Sequence, residues 1–423
     1  MAFKTPEWTK NSNIYEVNIR QFTKGGNFIG LQHHLKRLKD MGVDIIWLMP
    51  IFPIGEKNRK GTYGSAYSIK DYKAVNPDFG TFDDFDKTVK EIHKLGMHVI
   101  LDWVANHTAW DNPWITQAPD RYHRDENCNI LAPNADWTDV AHLNYSNPDT
   151  VAAMIDAMGF WVKKFDIDGF RCDMAGLVPN EFWVEARRQL DKIKPLFWLA
   201  EWEEPKIHEA FDMSYCWEMH NLMKKIAKNE KNVYDFDHYR NYELYNFAPE
   251  AYRMTFTTNH DESAWNGTEY DRFGNGAKTF AVLSYCLPGM PLIYSGQEAA
   301  FNASLPLFEK TEIDWNDYPL ESFYKRLNTL KTQNQALWNG TYGGSFTKIM
   351  TTDNCNIYSF ARVKGSNKVT AFFNLSSNNC EFIAESEVMA GNYENWFSNA
   401  PGSLGCRERF ALKPWEYKIY VSI

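Results

Sequence analysis

Apolar and polar positions along the chain alternate between two periods. Eight short apolar runs stand out: 14–19 (IYEVNI), 43–49 (VDIIWLM), 98–103 (HVILDW), 168–173 (DGFRCD), 196–201 (LFWLAE), 211–216 (FDMSYC), 253–258 (RMTFTT) and 291–296 (PLIYSG). Several follow a glycine of the kind that ends helices, as in LKDMGVDIIWL and HKLGMHVILDW. Between the runs, stretches such as GLQHHLKRLKDMG and TFDDFDKTVKEIHKLG repeat apolar residues at helical spacing. Thr81, three residues ahead of Asp84, predicts the cap that starts the second of these helices. Eight β units with intervening helices predict an α/β fold, a (β/α)8 TIM barrel.

Two regions break this rhythm. Residues 108–148, rich in Asp, Asn, Pro and Trp, are too long for a plain βα loop and predict a short inserted subdomain after strand 3. Beyond about residue 336 the runs NIYSFARV, KVTAFFNL and YKIYVSI are separated by Gly, Ser and Asn turns. They predict a C-terminal antiparallel β-sandwich domain. The expected division is a barrel of residues 1–107 and 149–335, an insertion at 108–148 and a β domain at 336–423.

Composition narrows the function classes. Of 423 residues, 44% are hydrophobic and 16% aromatic, enough for a large packed core. A net charge of −9 without a basic stripe argues against nucleic acid as a partner. No apolar run reaches membrane-spanning length, and the first residues lack a signal-like apolar region, so no membrane partner and a cytoplasmic location are expected. Seven scattered cysteines without a CxxC pair suit a reducing compartment.

In such a barrel, chemistry gathers at the carboxyl ends of the strands. There the chain delivers Asp102 and His107, Arg171 and Asp173, Glu201, and Asn259, His260 and Asp261. Arg171 and Asp173 are two apart on a strand and share a face, with Phe170 and Cys172 on the other. The pairing predicts that Arg171 holds Asp173 ionised. The apolar approach Phe197–Ala200 predicts a raised pKa at Glu201, as a general acid needs. One charged and one protonated carboxyl is the pair that glycoside cleavage requires. Taken singly, these residues read as helix caps, an ion pair or satisfied buried histidines. Their convergence on one rim favours a site.

The motifs DWVANH (102–107), GFRCDMA (169–175), LAEW around Glu201 and TTNHD (257–261) resemble, in order, those of the α-amylase family of glycoside hydrolases. The resemblance runs over almost the whole chain, with VDIIWLMPIF, GSAYSIKDYKAVNPDFGT and GMPLIYSGQE as further family-like segments. It implies Asp173 as nucleophile, Glu201 as acid and base, and Asp261 as binder and distorter of the sugar. Arg171 would position Asp173, His107 and His260 would bond sugar hydroxyls, Tyr67 would stack under the reacting ring, and Asp102 would support the rim. No cofactor is implied for the chemistry. Asn106 matches a calcium ligand of the family, with Asp136 or Asp139 to assist. Yet Gly176 and Leu177 stand where many members carry a Lys-His pair, one of whose carbonyls serves that calcium.

The expected activity is therefore retaining cleavage of α-1,4-glucosidic bonds in starch-type glucans or maltooligosaccharides. An α-glucan transglycosylase or cyclomaltodextrinase-like enzyme would use the same machinery. A catalytically silent sugar-binding protein would be expected to lack a catalytic carboxylate, and Asp173, Glu201 and Asp261 are all present. A metal-dependent barrel hydrolase would be expected to cluster imidazoles, and no His-x-His occurs.

Overall fold

The computed structural model describes residues 3–315 and 317–423. Eight parallel strands close into a barrel in sequential order: β1 (Ile14–Val17), β2 (Ile45–Leu48), β3 (His98–Val104), β4 (Gly169–Asp173), β5 (Phe197–Ala200), β6 (Met213–Tyr215), β7 (Tyr252–Thr255) and β8 (Met290–Tyr294), with β8 pairing back to β1. Each lies within or beside one of the eight apolar runs, so the predicted (β/α)8 fold is the observed one.

Strand alternation sorts the core into two layers. Ile14, Trp47, Ile100, Leu199, Tyr215 and Met254 pack inside the barrel. Tyr15, Ile46, Leu101, Phe170, Cys172 and Trp198 face outward into the larger layer beneath the helices. Each strand is buried on both faces, which is why its sequence reads as a continuous apolar run. Gly169 is required where β4 meets β5, since a Cβ there would lie 2.0 Å from the Phe197 carbonyl oxygen.

The helices α1 (Phe28–Asp40), α2 (Phe82–Lys94), α3 (Pro148–Phe165), α4 (Val233–Asn246) and α5 (Glu321–Gln333) are among those packed outside. As expected, the Thr81 side chain accepts from the Asp84 amide, and Asp84 bonds back to the cap, closing a capping box at α2. After β3 the chain forms a two-stranded antiparallel ribbon, His107–Ala109 with Val140–His142. Two short helices, Trp114–Gln117 and Pro119–Arg121, lie between its strands.

The C-terminal strands are β9 (Ser345–Lys348), β10 (Met350–Thr351), β11 (Ile357–Lys364), β12 (Asn367–Asn374), β13 (Cys380–Glu385), β14 (Gly391–Asn395), β15 (Ala400–Leu404), β16 (Arg407–Leu412) and β17 (Tyr417–Ser422). They form a six-stranded sheet, β9-β11-β12-β17-β14-β15, and a three-stranded sheet, β10-β13-β16. Phe372, Phe382 and Phe410 fill the space between the sheets, with Phe372 and Phe410 centroids 4.4 Å apart. Among the described residues, no helix is long and apolar enough to cross a membrane.

Candidate active site

The register of β3 on β4 sets Asp102 beside Arg171 and Val104 beside Asp173. Arg171 points into the barrel, fully buried, and touches three acids. Its Nη1 donates to Asp102 Oδ1 at 2.9 Å and to Asp173 Oδ1 at 3.2 Å, and its Nη2 lies 2.9 Å from Glu201 Oε2. Its Nε donates to the Tyr215 hydroxyl at 3.1 Å, and Trp47 lies under the guanidinium at 5.0 Å. The expected Arg171–Asp173 pair is present, and Arg171 serves two further acids besides. The contact with Asp173 is the longest of the three, because the guanidinium sits centrally below the rim and forks between strands.

Glu201 follows β5 and is held from two sides. Besides Arg171, the amide of Met174 donates to Glu201 Oε2 at 2.8 Å. Met174 adopts a left-handed conformation, φ 42° and ψ 44°, unusual for a side chain of this size. That bend directly after Asp173 is what aims the amide across to Glu201.

Burial raises the pKa of both carboxyls, and negative neighbours push further: Glu201, Asp102 and Asp261 on Asp173, and Asp261 on Glu201. Arg171 opposes the rise in both. The expectation that Arg171 holds Asp173 ionised meets an opposing effect: burial and the neighbouring acids outweigh the guanidinium and raise this carboxyl. The expected rise at Glu201 therefore comes from burial and charge, while its immediate contacts are polar donors.

His260 opens a short helix, His260–Trp265, whose cap Asn259 accepts from the Glu262 amide at 2.8 Å. Its Nδ1 is 2.5 Å from Glu16 Oε1. Its Nε2 is 2.7 Å from the Tyr67 hydroxyl and 3.3 Å from Asp261 Oδ2. The Tyr67 hydroxyl donates onward to Asp102 Oδ2 at 3.0 Å, leaving its lone pair for His260. Both ring nitrogens thus face acceptors, the arrangement of an imidazolium. Despite burial, Asp261 and Glu16 raise its pKa to about 9. His107 is the opposite case: burial lowers it to about 3, so its ring is neutral.

Tyr67, His107, Asp173, Glu201, His260 and Asp261 line one cavity of about 410 Å³. Arg171 and Asp102 lie beneath it and do not reach its surface. The cavity also takes in Trp137, an aromatic of the 108–148 segment, together with Lys60, Trp265 and Phe308, which were not singled out in the sequence. Trp265 and Phe308 meet edge to face at 5.8 Å and form one wall. Glu16 was missed as well, although a charged residue in an apolar strand, on the same face as Ile14, was a readable signal.

Asn106 lies behind His107, with its Nδ2 3.2 Å from the His107 Nδ1. Calcium needs six to eight oxygens. Here Asp139 is engaged by Lys60 at 3.1 Å, and the same ammonium donates to the Asp136 carbonyl at 2.5 Å. Among the described residues, no three His, Cys, Asp or Glu side chains gather where a metal could be held. The residues present do not fit a calcium site.

On the far side of Asp173, Gly176 lies against Trp202. A Cβ at Gly176 would come within 1.9 Å of the indole. Leu177 beside it is 45% exposed. The ring occupies the space that a side chain at 176 would need.

The catalytic-domain model of the α-amylase family matches residues 6–138 and 134–351. The structure superposes on that of a maltogenic α-amylase from Thermotoga neapolitana with a TM-score of 0.90 and 29% identity, covering 98% of this chain and 99% of that one. In sequence, the chain is 28% identical to the α-amylase MalA of Haloarcula japonica over 79% of its length and 50% of the relative's. It is 26% identical to an intracellular maltogenic amylase of Bacillus subtilis, covering 88% of this chain and 70% of that protein. The chain spans about half the length of the first of these curated relatives.

Proposed function

The chain belongs to the α-amylase family of glycoside hydrolases, and from that premise we propose that it cleaves α-1,4-glucosidic bonds of starch-type glucans or maltooligosaccharides with retention. The observation that carries this reading is one buried guanidinium bonded to both Asp173 and Glu201. Retaining enzymes need two carboxyls within about 5–5.5 Å of each other, and anchoring both on one guanidinium keeps them close.

In the reactive form Glu201 carries the proton and Asp173 the charge. Asp173 attacks the anomeric carbon while Glu201 protonates the departing glycosidic oxygen. The sugar is then bonded to Asp173, and Glu201, now ionised, takes a proton from the water that attacks the same carbon. Two inversions return the original configuration. Asp261 and the His260 imidazolium bind hydroxyls of the reacting sugar, His107 offers a neutral ring, and Tyr67 stacks beneath. Arg171 holds the two carboxyls without touching the sugar.

The test is the anomeric form of the first products, followed by proton NMR on maltoheptaose. Products released as the α anomer support the mechanism, and release as the β anomer overturns it.

A second reading rests on Trp202 and Leu177. They give the acceptor side an apolar surface where the Lys-His pair would stand, which favours transfer of the glycosyl group to a second sugar through the same intermediate. Early products longer than the substrate would show it. We also place the protein inside the cell. All seven cysteines are free thiols, and the Bacillus subtilis relative is named intracellular.

A further inference from the structure

A second cavity, of about 260 Å³, lies outside the barrel wall, between α4, the start of β7 and the C-terminal sheet. Strand alternation creates it. Tyr252 and Met254 fill the barrel interior, so Arg253 points outward toward α4. Arg240 and Glu243 reach in from α4, and Phe346 of β9 and Arg362 of β11 close the opposite side. Leu244, 61% exposed, flanks the opening.

The charges here do not balance. Arg253 is matched by Glu243 at 3.0 Å and Glu203 at 2.5 Å. Arg240 shares Glu243, and its buried Nε has no partner. Arg362 is 1% exposed, and among the described residues no carboxylate pairs with it. Its Nε and Nη2 donate to the Gly344 carbonyl, both at 3.3 Å, and its Nη1 to the Cys286 carbonyl at 3.2 Å. A guanidinium carries five N–H donors, so two remain beyond these three bonds. Three guanidiniums thus meet two carboxylates, and the unmatched charge is on a buried group. Leaving such a charge without a counter-ion is costly. Burial, and then the charge of Arg240, lowers Arg362 to about 9.

We propose that this cavity binds a small oxoanion, either inorganic phosphate or the phosphoryl group of a small phosphate ester, held between Arg362 and Arg240. Planar guanidinium forks match the oxygens of such an anion and bond it in pairs. Phe247 and Phe346 leave apolar wall for the carbon part of an ester. The site joins barrel and C-terminal sheet, apart from the catalytic cavity, and does not depend on the proposed chemistry.

The experiment is titration calorimetry and thermal unfolding of the full chain with inorganic phosphate and with glucose 1-phosphate, at fixed ionic strength against chloride. Binding should raise the Tm. Arg362→Met and Arg240→Gln should each weaken it by about tenfold or more, while Glu201→Gln leaves it unchanged. Tighter binding of the ester, lost in the same two variants, identifies the ester as ligand. Equal or tighter binding of phosphate identifies the free ion. Absence of any phosphate- or ester-dependent heat and Tm shift in the wild type overturns the proposal, as do folded variants that bind like the wild type. Ester binding displaced by maltooligosaccharide would place the ligand in the catalytic cavity and also overturns it. Should either variant fail to fold, a crystal structure of the wild type in phosphate decides by whether the anion lies between Arg240 and Arg362.

Discussion

His260 and Glu16 are 244 positions apart in sequence and joined by a 2.5 Å contact inside the barrel. Glu16 rises from β1 and His260 starts the helix after β7, so only barrel closure brings them together. The carboxylate lies behind the ring, on the side away from the cavity, and with Asp261 and Tyr67 it keeps both ring nitrogens protonated. At neutral pH a cation is thereby built into the cavity wall.

This pair gives a pH dependence of stability. The pKa of His260 is raised from 6.5 to about 9 in the folded chain. Its contribution is therefore fully present below about 6.5 and is lost as pH rises through about 9. That interval corresponds to roughly 3 kcal/mol for this group. Denaturant unfolding between these limits should show the wild type losing more stability than His260→Gln. Parallel curves would contradict the assignment.

Glu16→Gln removes the anion and keeps the shape. The ring should then titrate below its wild-type range, and activity should fall at a pH where the wild type is still fully active. NMR of the His260 ring protons reads the first effect and a pH–rate profile the second. An unchanged ring titration would remove Glu16 from the site.

Asp173→Asn and Glu201→Gln should each lower kcat by on the order of 10³-fold or more, since in the proposed mechanism each removes a group that exchanges a bond or a proton with the substrate. Maltooligosaccharide binding by calorimetry should persist, because Tyr67, His107, His260 and Asp261 still line the cavity. Either variant turning over at the wild-type rate would displace it from its role.

The legible part of this molecule is what repeats locally. Each barrel strand is buried on both sides, so the eight runs carried the barrel, and the Thr81 box carried the start of α2. Asp173, Glu201 and Asp261 were legible because rim acids interrupt apolar runs. Arg171 shows where local reading stops. Its link to Asp173 follows from a two-residue spacing, but its bonds to Asp102 and Glu201 depend on the registers of three neighbouring strands. Lys60 on Asp139 and Arg362 against Arg240 join segments whose proximity only the closed fold supplies.

Lys60 predicts the response to chelators. With its ammonium on Asp139 and the Asp136 carbonyl, Lys60 ties residues 136–139 to the barrel side. Incubation with a chelator should leave Tm and rate unchanged. Lys60→Met should lower stability by up to about 1 kcal/mol, as the pair is only partly buried. A chelator-induced fall in Tm, restored by calcium, would refute this account.

Gly176→Ala tests the acceptor side. The new methyl would lie 1.9 Å from the Trp202 indole, closer than any real contact, so the ring must move. Gly176 has an ordinary backbone conformation, and the penalty is therefore steric, about 1–3 kcal/mol for overpacking. Trp202 follows Glu201 directly in the chain, but the Glu201 carboxylate is held by Arg171 and the Met174 amide, so a ring that turns about its own side-chain bonds should leave the first cleavage step nearly preserved. If the proposed transfer reading holds, what changes is the apolar surface on which a sugar acceptor competes with water for the glycosyl–enzyme. The ratio of transfer to hydrolysis should fall, while release of the first leaving group stays within a few-fold of wild type. Trp202 fluorescence reports the displaced ring, and time-resolved product analysis on maltotriose reports the ratio. A shifted fluorescence with an unaltered ratio would show that Trp202 has no part in acceptor choice.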